Sequence, residues 1–107
     1  MTITYDPRFP ADLRRIVDAH LERWAGLIPT WCQEFTVRYE PSYDRRMAGR
    51  INYRNRWAEL IVTGQWFDDD PGERECSLVH ELIHVALEPL VDPVGRIIED
   101  VTAEDTP

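Results

Sequence analysis

The segment HELIH at residues 80–84 places two histidines four positions apart, with a glutamate directly after the first. On an α-helix, side chains at positions i and i+4 share one face, with Cβ atoms roughly 5–6 Å apart. At that spacing the imidazoles of His80 and His84 can bind one zinc ion through bonds of about 2.0–2.1 Å. The carboxylate of Glu81 would flank the ion without binding it and would accept a proton from a water that the ion acidifies. The motif therefore predicts a zinc site with hydrolytic chemistry.

The residues around the motif predict the helix that carries it. Asp70-Pro71-Gly72-Glu73 combines an N-cap residue, a proline suited to the first turn and a glutamate three positions after the cap. Apolar residues cover most of the helix circumference up to Leu87, so we expect a central, buried helix that ends before Pro89. Unpaired imidazoles and a carboxylate are costly to bury on such a helix, and a bound metal removes that cost.

The remaining periodicities predict a single α+β domain over residues 1–107. An N-terminal helix begins near Ala11 and ends near Ile28, and Asp92-Pro93 opens a short C-terminal helix over 94–103. Between the first helix and the zinc helix we expect a small three-stranded, mainly antiparallel sheet. Its strands are predicted at EFTVRYE (34–40), near 47–53 and at WAELIVT (57–63), with a turn at 54–56.

A catalytic zinc usually has three protein ligands and leaves its fourth position to water. The remaining donors lie on the predicted C-terminal helix: Glu99, Asp100 and Glu104. On a helical wheel the apolar residues of that helix form one face, and Asp100 and Glu104 lie closer to it than Glu99 does. The residues alone leave the third ligand open among these three.

The motif His80-Glu81-Leu82-Ile83-His84, followed by an acidic helix, resembles that of the gluzincin metallopeptidases. By its order of helices and strands the chain is most similar to their minimal soluble members, the minigluzincins. This resemblance implies a zinc metalloendopeptidase in which His80, His84 and Glu99 bind Zn²⁺. It also implies that Glu81 acts as general base and then as general acid.

The same resemblance implies that a peptide or protein substrate lies extended along one edge of the sheet. Trp57–Thr63 is the candidate edge strand, and Tyr53 and His20 are candidate stabilisers of the oxyanion. The acidic tail Glu104-Asp105 would occupy the open position of the metal and keep the enzyme latent.

Composition and charge argue against several other classes of function. The net charge is −8 and all 12 basic residues are arginine, which argues against a nucleic-acid-binding protein. A cluster of five arginines between residues 45 and 56 is interpreted as a solvated face. Apolar runs fall short of the roughly 20 residues that span a bilayer.

Cys32 and Cys76 are expected to be free thiols, and MTITYDPRFP lacks the features of a secretory signal. These observations predict a cytoplasmic protein, as a monomer or weak homodimer. The alternative to a peptidase is a non-catalytic, zinc-stabilised interaction or regulatory module of phage or mobile-element origin.

Overall fold

The computed structural model describes the backbone of residues 2–104 and the side chains of residues 2–91. The chain forms a small α+β structure with three α-helices and a four-stranded mixed sheet. A short 3₁₀ turn, Ala25–Leu27, follows the first helix. In chain order the elements are β1 (Thr2–Tyr5), α1 (Ala11–Trp24), β2 (Glu34–Glu40), β3 (Met47–Asn52), β4 (Trp57–Thr63), α2 (Gly64–Asp68) and α3 (Pro71–Glu104).

The sheet has the strand order β1-β2-β4-β3. Strand β2 pairs in parallel with β1 and with β4, whereas β3 and β4 are antiparallel. The predicted three-stranded, mainly antiparallel sheet is therefore wrong in strand number and in the direction of most pairings. Strand β1 has four residues, too few for a clear alternation. Parallel pairing joins distant segments, so a local sequence pattern carries little signal for it.

Strands β3 and β4 form a hairpin, and the expected turn between them is confirmed at residues 53–56. Arg56 adopts a φ of 60° there, a left-handed conformation that is uncommon for residues other than glycine. Because β4 lies between β2 and β3, β3 is an edge strand of the described sheet. The outer side of β3 therefore has no neighbouring strand within the described sheet.

The core lies between one face of the sheet and the helices. Trp66 of α2 is fully buried, and its indole Nε1 donates a hydrogen bond to the carbonyl of Arg74 at 3.1 Å. Trp24 of α1 donates a 2.6 Å hydrogen bond to Glu75. Both contacts hold the first turns of α3 on the rest of the structure, and α3 buries Leu78, Leu82 and Val85 in the core.

The start of α3 is confirmed and its end is not. The carboxylate of Asp70 accepts a hydrogen bond from the backbone N–H of Glu73 at 2.9 Å, as the predicted N-cap requires. The helix then continues through Pro89 to Glu104, so the predicted end before Pro89 and the separate C-terminal helix are both wrong. A proline inside a helix removes one backbone hydrogen bond, while the adjacent turns keep theirs.

The prediction that α3 is buried on most sides is also wrong. Its core face is one narrow stripe, while His80, Ile83, His84 and Leu87 are exposed. Apolar composition indicated burial, but the sheet and α1 cover too little surface to surround α3. Of the helices in the described part of the chain, none has the length and apolar character needed to cross a membrane.

Candidate metal centre

The two histidines of the motif converge at one point on the exposed side of α3. Their Nε2 atoms are 3.1 Å apart and their ring centroids 4.7 Å apart. Two nitrogens bound to one tetrahedral zinc at 2.0–2.1 Å lie about 3.3 Å apart. The pair therefore fits a shared ion, and in its absence one Nε2–H can donate to the other Nε2.

The exposure of the pair changes the physical argument for a metal. The sequence predicts that a metal offsets the cost of burying unpaired imidazoles, but both rings reach solvent. Water can satisfy their nitrogens, so burial provides no reason for an ion. The support for a metal comes instead from the convergence of the two Nε2 atoms.

The side chain of Glu81 extends from α3 toward the edge strand β3. It is half-buried, and a Cβ atom added at Gly49 would lie 2.9 Å from its Oε2. Glycine at this position of β3 therefore leaves the space that the carboxylate occupies. Burial raises the pKa of the Glu81 carboxyl above its ordinary value of 4.5. Electrostatic interactions with His80, His84 and Arg45 oppose this rise in the pKa.

A cleft of about 440 Å³ runs between the edge of β3 and the motif; we call it the β3 cleft. His80, Glu81 and His84 form its helix side, and its other lining residues are Tyr43, Arg45, Ala48, Gly49, Arg50, Ile51 and Ile61. A second, more apolar cavity of about 470 Å³ lies on the α1 side of His80, against Trp24, Val79 and Ile83. His80 thus stands between a polar cleft and an apolar cavity.

The predicted third ligand lies outside the side chains that the structure describes, as do Asp100, Glu104 and the tail residue Asp105. The backbone of Glu99 is helical and continuous with the motif. At 1.5 Å rise per residue it lies about 22 Å further along the axis than His84. A continuous helix does not bring Glu99 to the two histidines. Among residues 2–91, no group of three His, Cys, Asp or Glu side chains is placed to hold a metal.

Two further site predictions need correction. Trp57–Thr63 is β4, which pairs on both sides and has no free edge for a peptide. Tyr53 packs edge-on against Trp31 at 5.1 Å, and His20 against Trp66 at 5.6 Å. Neither candidate oxyanion stabiliser lines the β3 cleft. Both aromatic contacts are part of the packing around the core.

The cleft contains residues that the sequence did not single out, above all Tyr43 and Gly49. Arg45 and Arg50 are exposed, as the interpretation of the arginine cluster as a solvated face predicts, and they also border the cleft. The signal that could have found them is the hairpin itself, because pairing 47–52 with 57–63 makes the first of these strands a candidate edge. The local sequence pattern does not indicate that this edge faces α3.

His20 gives a pH-dependent contribution to stability. Partial burial lowers its pKa below the ordinary 6.5, and the nearby charge of Arg74 lowers it further. Glu75 opposes this shift, and Arg23 adds to it. The folded state thus binds fewer protons at His20 than the unfolded state, so acid favours unfolding.

We expect His20→Gln to flatten the fall in the free energy of unfolding between about pH 7.5 and pH 5.5. Urea denaturation of both proteins at the two pH values, with a chelator present, measures the difference. His80 and His84 are present in both proteins, so the comparison isolates the effect of His20. An identical pH dependence in the two proteins would contradict the assignment.

Comparison of the chain with family models, with curated proteins and with solved structures gives no match.

Proposed function

We propose that this chain is a zinc-dependent peptidase that hydrolyses peptide bonds in the β3 cleft. The observation that carries the proposal is the 3.1 Å approach of the His80 and His84 Nε2 atoms, next to a Glu81 carboxylate that reaches the edge strand at Gly49. Zinc held there would polarise the substrate carbonyl and lower the pKa of a bound water to about 7.

Glu81 is the proposed general base and acid. Its carboxylate takes the proton from the attacking water as the new C–O bond forms, and it passes that proton to the amine nitrogen as the C–N bond breaks. A pKa raised by burial makes the carboxylate a better proton acceptor, which suits the first half of this exchange. The partial burial that raises the pKa also holds the carboxylate in place.

The substrate is proposed to bind as an extended strand along β3. This strand pairs with β4 on one side, and its residues 48–51 line the β3 cleft. An unpaired strand edge offers backbone N–H and C=O groups to an extended peptide. The apolar cavity on the α1 side of His80 has room for one apolar substrate side chain. Strand β3 thus replaces Trp57–Thr63 as the candidate edge.

The proposed function also requires a third zinc ligand. Glu99, Asp100 and Glu104 are its candidates, and any of them requires a break in the helix between Leu87 and that residue. Each of these three residues is replaced by glutamine in turn, and the zinc affinity of each variant is measured. The ligand is the residue whose replacement lowers the affinity most.

The function itself is tested on the intact chain. We expect about one zinc ion per chain by elemental analysis, and cleavage of a mixed peptide library detected by mass spectrometry. A chelator should abolish the cleavage, and added zinc should restore it. Failure to bind an ion in stoichiometric amount would overturn the proposal. Zinc bound without any cleavage would favour the zinc-stabilised module.

Gly49→Ala tests the position of Glu81 without changing any polar group. The new Cβ would lie 2.9 Å from Oε2, so the carboxylate must move. We expect a loss of about 10–100-fold in kcat/KM with zinc binding kept, because a misplacement of about 1 Å can cost this much. Gly26→Ala is the matched control, since no atom lies within 4 Å of its added Cβ. Equal activity of Gly49→Ala and wild type would show that Glu81 is not held against β3.

A further inference from the structure

We infer that two copies of this chain pair antiparallel through an apolar seam along α3. Six apolar residues define the seam: Ile83, Leu87, Leu90, Val94, Ile97 and Val101. The pairing itself does not depend on the proposed function. Its consequence for the third zinc ligand does rest on that function.

The described part of the seam faces away from the core. Ile83 is 45% exposed, Leu87 47% and Leu90 68%, whereas Leu82 of the same helix is buried. Among the side chains that the structure describes, every exposed large hydrophobic residue except Tyr43 lies on α3. Apolar side chains gathered on one exposed face of a helix favour an interaction surface.

The spacing of the seam favours a second helix as its partner. From Ile83 to Val101, successive seam residues are alternately four and three positions apart. An apolar repeat of about 3.5 residues keeps one stripe of a helix against a neighbouring helix in a coiled coil. The backbone of α3 is helical over this whole stretch, which is about 27 Å long.

The seam matches itself when one copy is reversed. With two α3 helices antiparallel about position 92, Ile83 faces position 101, Leu87 faces position 97 and Leu90 faces position 94. Each layer then joins the two different apolar positions of the heptad, one from each helix. A two-fold symmetric pair uses the same patch on both copies, so the seam is self-complementary.

Charge favours a second copy over a membrane surface. The seam residues are uncharged, so the net charge of −8 on each copy is not brought into the interface. Helix α3 as a whole carries eight acidic residues and two arginines. Helices that lie on membranes have the opposite balance, with Lys and Arg on the polar face.

The seam lies beside the metal centre and leaves the β3 cleft open. Ile83 also lines the apolar cavity on the α1 side of His80, so the second copy would border that cavity. Glu81 extends in the other direction, toward β3. In the antiparallel register, positions 99–104 of one copy lie opposite positions 80–85 of the other. A second copy thus brings a candidate third ligand to the histidines without the break in α3 that a ligand from the same chain requires.

The oligomeric state of the intact chain tests the pairing. We expect sedimentation equilibrium, with a chelator present, to show a dimer that dissociates on dilution. Leu87→Glu should weaken this dimer by about 100-fold or more, because each dimer carries the change at two central positions. Leu87 is exposed, so urea denaturation of dilute protein should give the free energy of unfolding of wild type.

Ala11→Glu is the matched control for Leu87→Glu. It adds the same charge at the exposed first residue of α1 and should dimerise as wild type does. A wild-type chain that stays monomeric at every concentration would overturn the inference. Unchanged dimerisation of Leu87→Glu would also overturn it.

Zinc affinity in mixed dimers tests the antiparallel register. One variant carries His80→Ala, and the other carries glutamine at Glu99, Asp100 and Glu104. Each variant alone should bind zinc weakly. A mixed dimer has one site with both histidines and the carboxylates of the second copy, so mixing should restore tight binding. A site built from one chain cannot be restored in this way, and no gain on mixing would overturn the register.

The two measurements also separate the pairing from the proposed function. Wild type that dimerises through the seam but binds no zinc would support the pairing and count against the peptidase. Tight zinc binding and peptide cleavage by a chain that stays monomeric would do the reverse.

Discussion

Glu81→Gln is expected to reduce peptide hydrolysis by about 10²–10⁴-fold, the usual contribution of a general base. The amide of glutamine keeps nearly the same shape but cannot accept the proton of the attacking water. Zinc binding should not change, because Glu81 is not a ligand in the proposed site. Steady-state rates on one cleaved peptide, together with zinc content, measure both effects.

Glu73→Gln is the matched control for this variant. Glu73 lies in the first turn of the same helix, is exposed and is outside the β3 cleft. The activity of the Glu73→Gln variant should equal that of wild type. Full activity of Glu81→Gln would remove the proposed mechanism, whereas loss of zinc in that variant would mean that Glu81 binds the ion.

Replacing either His80 or His84 by alanine should weaken zinc binding by more than the roughly 10–100-fold that loss of a residue supporting a ligand costs. Both rings are exposed and make their closest polar contact with each other. The metal-free protein should therefore keep its free energy of unfolding within about 0.5 kcal/mol. Competition titration with a zinc indicator and urea denaturation with a chelator measure the two quantities.

His20→Gln serves as the control for these histidine variants. His20 packs against Trp66 and lies outside the β3 cleft, so its loss should leave zinc affinity unchanged. Zinc affinity retained in both alanine variants would mean that the convergent rings are a hydrogen-bonded pair and not a metal site.

Local sequence signals predicted the elements that depend on neighbouring residues. The Asp70 cap, the strands 34–40 and 57–63 and the turn at 54–56 all appear where expected. The convergence of His80 and His84 also follows from helix geometry alone, since i and i+4 share one face. Each of these features is decided by a few adjacent residues.

Other features depend on which segments meet. The parallel pairing of β2 with β4 places β3 at an edge, and that edge, not β4, borders the motif. Whether α3 is buried is decided by how much surface the sheet and α1 offer, so its apolar composition predicted more burial than it has. The partner of Glu81, Gly49, is 32 residues earlier in the chain.

By itself the sequence determined that the two histidines share one helix face, where that helix begins, and the α+β class. Tertiary structure alone decided the sheet topology, the exposure of the histidines and the position of β3 beside the motif. The physical reason is the range of the interactions involved. Caps, turns and helix faces are fixed by contacts within one or two turns, whereas edges and clefts arise from packing between segments far apart in the chain.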